Sequence, residues 1–279
     1  QGFTYPDHLI ENFYLSLKSK PFVILAGVSG TGKTKLVKLF AESIGATSEN
    51  GQFTLIPVRP DWSDPSDLIG YKDLSGVFRP GPLAKVLVEA SKPTNRNKPY
   101  FVCLDEMNLA RVEHYFSDVL SIIETQQWSR DRIATDPIIQ QDALDTEEDK
   151  RRYGGLYLPD NVYLIGTVNM DETTHPFSKK VLDRANTIEF NYIQLTQFPD
   201  LAAEAESSAA HGVAPNSFLR ADYLQLKDVY AEYKELIERT TDKLVRINQI
   251  LETIHSHVGF RIRDAICFYL IYNERFQLM

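Results

Sequence analysis

Gly27-Val28-Ser29-Gly30-Thr31-Gly32-Lys33-Thr34 is the stretch whose residue types and spacing point most directly to chemistry. Its glycines let successive backbone N–H groups curl around an anion without Cβ clashes. Lys33 adds a point charge suited to the outer phosphates of a nucleotide, and the Thr34 hydroxyl suits Mg²⁺. A helix starting here would aim its N-terminus at the same anion. The competing reading is a chance glycine-rich turn. Against it stand the apolar run Phe22 to Ala26 just before and the helical pattern Thr34 to Ile44 just after, which the phosphate loop requires.

Two further clusters close apolar runs. Tyr100 to Leu104 leads into Asp105 and Glu106. An acidic pair at the carboxyl end of a buried strand lies where open α/β sheets take their ligands. Asp105 would hold Mg²⁺ through its water shell, and Glu106 would act as general base on an attacking water. A solvated strand end is the bland alternative, and the nearby phosphate loop disfavours it. Val162 to Val168 ends on Asn169, whose amide can orient a water or sense a terminal phosphate. Alone it would be a turn former.

These residues need a scaffold, and the chain's periodicities supply one. Strands are predicted at Phe22–Ala26, Phe53–Val58, Tyr100–Leu104, Val162–Val168 and Thr187–Phe190, with helices at 5–18, 34–44, 83–91 and 112–125. Continuously apolar strands alternating with helices predict an α/β fold, a parallel sheet flanked by helices. Residues 129–155 lose apolar periodicity and read as a surface loop or hairpin. Beyond Tyr192 the pattern turns helical, over 219–239, 244–255 and 265–276, after a small, acidic stretch at 202–210. The expected organisation is an N-terminal helix (1–20), a nucleotide-binding core (21–192) with a polar insertion at about 129–156, and a smaller helical lid (193–279), open to truncation at its C-terminus.

Composition limits the rest. The 279 residues carry a net charge of −8, with 43% hydrophobic and 24% charged residues. That suits a folded, water-soluble chain and argues against a surface that coats nucleic acid. No apolar run reaches membrane-spanning length, and Gln1-Gly2-Phe3-Thr4 has no signal-peptide pattern, so a cytoplasmic, membrane-free protein is expected. The missing initiator Met reads as a chain cut from something longer. Cys103 and Cys267 sit far apart in apolar runs and read as buried, reduced thiols. His255 and His257 face different directions on a helix and read as surface residues. Arg130, Arg132, Lys150, Arg151 and Arg152 flank the insertion, but the acids among them favour a solvated hairpin over a DNA contact. Arg59, Trp62 and Tyr71 are read as loop packing.

Taken together, the three motifs resemble the AAA+ superfamily: residues 27–34 its Walker A, Leu104-Asp105-Glu106 its Walker B with the catalytic glutamate, and Asn169 its sensor 1. Within it, the chain is similar to McrB-type motors of restriction systems through Asp105-Glu106-Met107-Asn108, Pro159 to Asn169 and Val181-Leu182-Asp183-Arg184-Ala185. Asp67 to Tyr71 and Phe78 to Leu83 also fit. Where the McrB signature reads Asn-Thr-Ala-Asp, this chain has Asn169-Met170-Asp171-Glu172.

The resemblance implies a Mg²⁺-dependent nucleoside triphosphatase in a homo-oligomeric ring, a hexamer, using ATP or GTP. It also implies a McrC-like nuclease partner and DNA reached through another domain or partner. Arg184 corresponds to the arginine finger that enters a neighbour's site, against a surface pairing with Asp183 or Glu189. Either Arg261 or Arg263 corresponds to the lid sensor, with Arg263 preferred over a salt bridge to Asp264 or Glu274. Alternatives are a MoxR-like protein-remodelling ATPase and a nucleotide-gated scaffold with little turnover.

Overall fold

The computed structural model describes residues 5–170, 174–190 and 212–279. The expected acidic stretch at 202–210, Asp171, Glu172 and the boundary near residue 192 lie outside them. Five strands form the central sheet: β1 (Phe22–Gly27), β2 (Phe53–Pro57), β5 (Tyr100–Asp105), β10 (Val162–Asn169) and β11 (Asn186–Phe190). All run parallel, in the order β11-β1-β10-β5-β2.

The three inner strands are covered on both faces, which is why β1, β5 and β10 are apolar almost without interruption, while the edge strands β2 and β11 alternate buried and more exposed residues. Phe22, Ile24, Tyr100, Val102, Leu104 and Leu164 point into one hydrophobic cluster. Their neighbours Val23, Leu25, Phe101, Cys103, Tyr163 and Ile165 point into another on the opposite face. That second cluster is closed by α1 (Asp7–Ser19) and α2 (Lys33–Ser43). The first is closed by α3 (Pro82–Ala90), α4 (Val112–Tyr115) and α5 (Ser117–Ile122). Short β3 (Gly70–Lys72) and β4 (Phe78–Pro80) pair as an antiparallel hairpin beside it.

The single helix predicted over 112–125 is broken at Phe116, whose backbone leaves the helical region (φ −105°, ψ 7°). Rings anchor the break, Phe116 on Phe22 at 5.2 Å and Tyr115 on Trp62 at 5.3 Å. Trp62 is therefore packing, as expected, while Tyr71 on β3 is exposed.

The insertion departs further from expectation. It begins as a hairpin of β6 (Gln127–Ser129) and β7 (Arg132–Ala134). Then come β8 (Pro137–Ile139), α6 (Glu147–Tyr153) and β9 (Leu156–Tyr157). Ile139, Leu144, Tyr153 and Leu156 are buried in the core. Thr146 caps α6 by accepting from the Asp149 amide at 3.0 Å. The buried Asp149 carboxylate in turn accepts from the Phe78 amide at 2.9 Å, tying the insertion to β4. Sparse apolar residues hid this element, because four well-placed ones suffice to seat it.

After β10, α7 (Lys179–Leu182) leads into β11. The C-terminal part holds α8 (Lys234–Glu252) and α9 (Phe260–Phe276), which close a third cluster with Leu15 of α1. The helix predicted over 219–239 is absent up to Lys234. There, side chains capture backbone groups that a helix would use. Asp228 accepts from the Gln225 amide at 3.0 Å, and the Tyr272 hydroxyl accepts from the Asp222 amide at 2.7 Å. The predicted 244–255 helix is the second half of α8. Among the described residues no helix is long and apolar enough to cross a membrane.

Candidate active site

The phosphate loop joins β1 to α2 at the carboxyl edge of the sheet. Gly30 and Gly32 both lie in the left-handed region (φ 77° and 89°), where a side chain would be strained. Gly27 is required for a different reason: a Cβ there would overlap the carbonyl oxygen and Cβ of Phe190 on β11. The loop wraps around the Lys33 side chain, whose ammonium donates to the carbonyls of Gly27 at 3.0 Å and Val28 at 2.7 Å. Val28, Ser29 and Gly30 form the exposed rim. Thr31 turns inward, its hydroxyl donating to Val28 at 2.9 Å. From the other side Tyr5 donates its hydroxyl to the Gly32 carbonyl at 2.9 Å, and burial pushes that phenol up to about 12.

Asp105 ends β5 and Glu106 follows it, one strand removed from the loop, with β10 between. Asp105 Oδ1 accepts from the Thr34 hydroxyl and from the Thr167 hydroxyl, each at 2.7 Å. Thr167 also accepts from the Glu106 amide at 3.0 Å. Glu106 itself sits in the left-handed region (φ 51°, ψ 49°). For a residue with a Cβ, that conformation stores strain of a kind that clusters at functional positions. Asn169, at the end of β10, donates its side-chain amide to Glu106 Oε1 at 3.1 Å. The register places Asn169 opposite Gly27, and the Met170 amide donates to the Gly27 carbonyl at 3.1 Å.

The fold thus gathers residues 27–34, Asp105, Glu106 and Asn169 at one edge. Thr34 and Asp105 present hard oxygen donors side by side, the donor type that Mg²⁺ prefers. Two contributors were missed in the sequence. Thr167 was read only as part of an apolar strand, and Asn108 only as part of a motif. Asn108 is buried and donates to the Thr174 hydroxyl at 2.6 Å and the Asn169 carbonyl at 3.4 Å, linking the ends of β5 and β10. A polar residue in the last turn of an apolar strand was the available signal for Thr167.

Two other candidates lie elsewhere. Arg184 precedes β11 at the amino edge of the sheet. Its guanidinium pairs with Glu124 and donates to the carbonyls of Leu120 at 2.9 Å and Lys180 at 2.6 Å. Neither expected surface partner, Asp183 or Glu189, supplies that ion pair. Arg263 is not brought to the phosphate loop. α9 opens at the amino edge, where Arg261 pairs with Glu124 at 2.8 Å. Arg263 turns back onto Asp264 at 2.6 Å and lies over the Phe260 ring at 4.9 Å. The sequence placed both arginines at the start of the last helix, where they lie, but it could not say at which edge of the sheet that helix starts.

A parallel α/β sheet with a phosphate loop after its first strand, facing an acidic pair on another, defines a P-loop nucleoside triphosphatase. The family model described as "AAA domain (dynein-related subfamily)" matches residues 22–185, and the chain belongs to that family. Membership implies ATP as substrate and usually Mg²⁺. A second model, described only as a domain of unknown function, matches residues 205–279. The chain is 38% identical over 89 residues to the uncharacterized protein YeaC of Bacillus subtilis (strain 168), across 30% of this chain and 26% of that protein. Among solved structures it is similar to NtrX from Brucella abortus, at 13% identity and a TM-score of 0.39. That match covers 71% of this chain and 39% of the NtrX chain.

Proposed function

We propose that this chain is the nucleotide-hydrolysing module of a McrB-like ring motor, assembled as a hexamer, whose sites are completed across subunit boundaries. The observation that carries the reading is the split between the sheet's two edges. Glu106, Asn169 and the phosphate loop share the carboxyl edge, while Arg184 lies before β11 at the amino edge. Six residues from Arg184 to Phe190 span roughly 20 Å, beyond an arginine's reach to its own phosphate loop. If Arg184 acts on a nucleotide at all, it acts on a neighbour's.

In this reading the loop amides and Lys33 hold the outer phosphates, and Thr34 and Asp105 are the residues that would hold Mg²⁺. Mg²⁺, when bound, neutralises charge on the outer phosphate oxygens. Glu106 accepts a proton from the attacking water, and Asn169 keeps the carboxylate aimed by donating to Oε1. Oxygen joins the γ-phosphorus as its bond to the bridging oxygen breaks, giving the nucleoside diphosphate and inorganic phosphate. Arg184 of the adjacent subunit meets the charge that develops in that step.

The McrB-like assignment is supported by Asp105 to Asn108, Pro159 to Asn169 and Val181 to Ala185. It brings with it a McrC-like nuclease partner, DNA engaged through another domain or that partner, and a choice between ATP and GTP. The base must be read outside the phosphate loop, since that loop contacts only phosphates and metal. Turnover of ATP, GTP, CTP and UTP side by side, with Mg²⁺ and with excess chelator, tests the reading. Metal-dependent hydrolysis of ATP or GTP well above the pyrimidine nucleotides is expected. Equal use of all four would remove the base pocket, and undiminished turnover under chelation would remove the Thr34–Asp105 metal site.

A further inference from the structure

We infer that Glu124 is a positioning residue that holds Arg184 inside its own subunit, and that Arg261 of α9 loosens this hold by competing for the same carboxylate. The inference rests on the reading of Arg184 as acting across a subunit boundary. Only 10% of the Arg184 side chain is exposed, although it stands at the edge of the sheet. Its Nε and Nη1 donate to Leu120 and Lys180 carbonyls, and its Nη2 pairs with Glu124 Oε1. A guanidinium engages phosphate through a fork of parallel N–H donors. With donors on all three nitrogens turned inward, Arg184 must release its partners before it can offer that fork.

Of these partners, Glu124 carries the charge and therefore the strongest hold. Its Oε1 is also the atom that Arg261 Nη2 meets at 2.8 Å. Arg261 comes from α9, is 56% exposed, and is otherwise remote in sequence from Arg184. Two cations on one oxygen each hold it less tightly than either would alone. The position of α9 therefore sets how firmly Arg184 is kept. Seated with Arg261 on Glu124, α9 leaves Arg184 easier to release; withdrawn, it leaves the carboxylate to Arg184 alone. Lys20 keeps the backbone of this device in place, donating to the carbonyls of Asp183 at 3.1 Å and Ala185 at 3.3 Å, on either side of Arg184.

The test measures turnover per subunit against protein concentration, at saturating ATP and Mg²⁺, with nucleotide affinity measured separately. Glu124→Gln removes the charge at nearly constant shape and should raise turnover about three- to tenfold without changing nucleotide affinity. Arg261→Gln, on a half-exposed side chain that folding tolerates, should lower turnover about two- to fivefold. The double variant should match Glu124→Gln, because Arg261 acts only through Glu124. Glu124→Gln at or below the parental rate, with intact nucleotide binding and assembly, would overturn the inference. So would an Arg261→Gln loss that persists in the Glu124→Gln background. Should Glu124→Gln misfold, an Arg261→Gln variant at or above the parental rate overturns the inference by itself. Arg184→Gln separates the two levels: turnover at the parental rate there would mean the reading of Arg184 itself had failed.

Discussion

At the carboxyl edge of the sheet, carboxylates are met by neutral groups. Asp105 accepts from two hydroxyls, and Glu106 accepts from an amide. At the amino edge charge meets charge: Glu124 takes two guanidiniums, and the buried Asp160 takes Arg132 at 3.8 Å and Arg220 at 3.5 Å. Neutral partners of this kind are exchanged for a nucleotide's oxygens or a metal at modest cost, whereas a partly buried ion pair resists parting. One edge is built to take a ligand, and the other is built to keep its charges until something displaces them.

The largest effect is expected from Glu106→Gln at the carboxyl edge. Glutamine nearly preserves the shape and the contact with Asn169 but is a poor base, so nucleotide should bind while turnover falls about 10³-fold or more. A single-turnover assay reads this directly. Hydrolysis at the parental rate would leave the edge a binding site with no base assigned.

Thr167→Val should come next. It keeps volume but takes one hydroxyl from Asp105 and leaves the Glu106 amide without its acceptor. Turnover should drop roughly tenfold, with a stability loss of about 1–3 kcal/mol in denaturant titration. Lost stability with unchanged turnover per folded subunit would make Thr167 a structural residue only.

How much of this could be read from the chain differs between the edges in the same way. The phosphate loop, Asp105, Glu106 and Asn169 were legible because each is local: a run of apolar residues ends and a chemically specific group follows. The three inner strands were legible because burial on both faces leaves a nearly unbroken apolar signature, which β2 and β11 at the sheet's edges carry only in part. Glu124 and Lys20 carried no such mark, and Thr167 only the weak one of a hydroxyl near the end of an apolar strand. Glu124 matters because α5 ends beside α7 and α9, which no spacing within any one segment encodes. The insertion was misread for a related reason, since the Thr146–Asp149 cap is a local signal but the Asp149 contact with β4 is not. Arg263 shows the limit from the other side: its place near the start of a helix was legible, while the edge on which that helix starts was not.

The smallest effect sharpens the amino edge. Burial brings the Lys20 ammonium down from its ordinary 10.5 to about 8. Between these values the unfolded chain keeps a proton that the folded chain sheds, so this group's contribution to stability rises with pH through that window. Relative to Lys20→Met, the parental protein should gain on the order of 2 kcal/mol as pH is raised from about 7.5 to about 9.5. Parallel stability curves for the two proteins would show that Lys20 is not held in a charge-averse site.

The claim that the two edges meet across a subunit boundary is tested most directly by mixing two inactive variants. Arg184→Ala subunits keep their own Glu106, and Glu106→Gln subunits keep their own Arg184. Each alone should bind nucleotide and turn it over on the order of 10³-fold more slowly than the parent. In a mixed assembly, some boundaries place an intact Glu106 against a neighbour's Arg184, so activity should return in part and peak near equal proportions. If mixed assemblies demonstrably form and hydrolysis stays at the level of the separate variants, Arg184 does not complete a neighbour's site, and its pairing with Glu124 is its whole role.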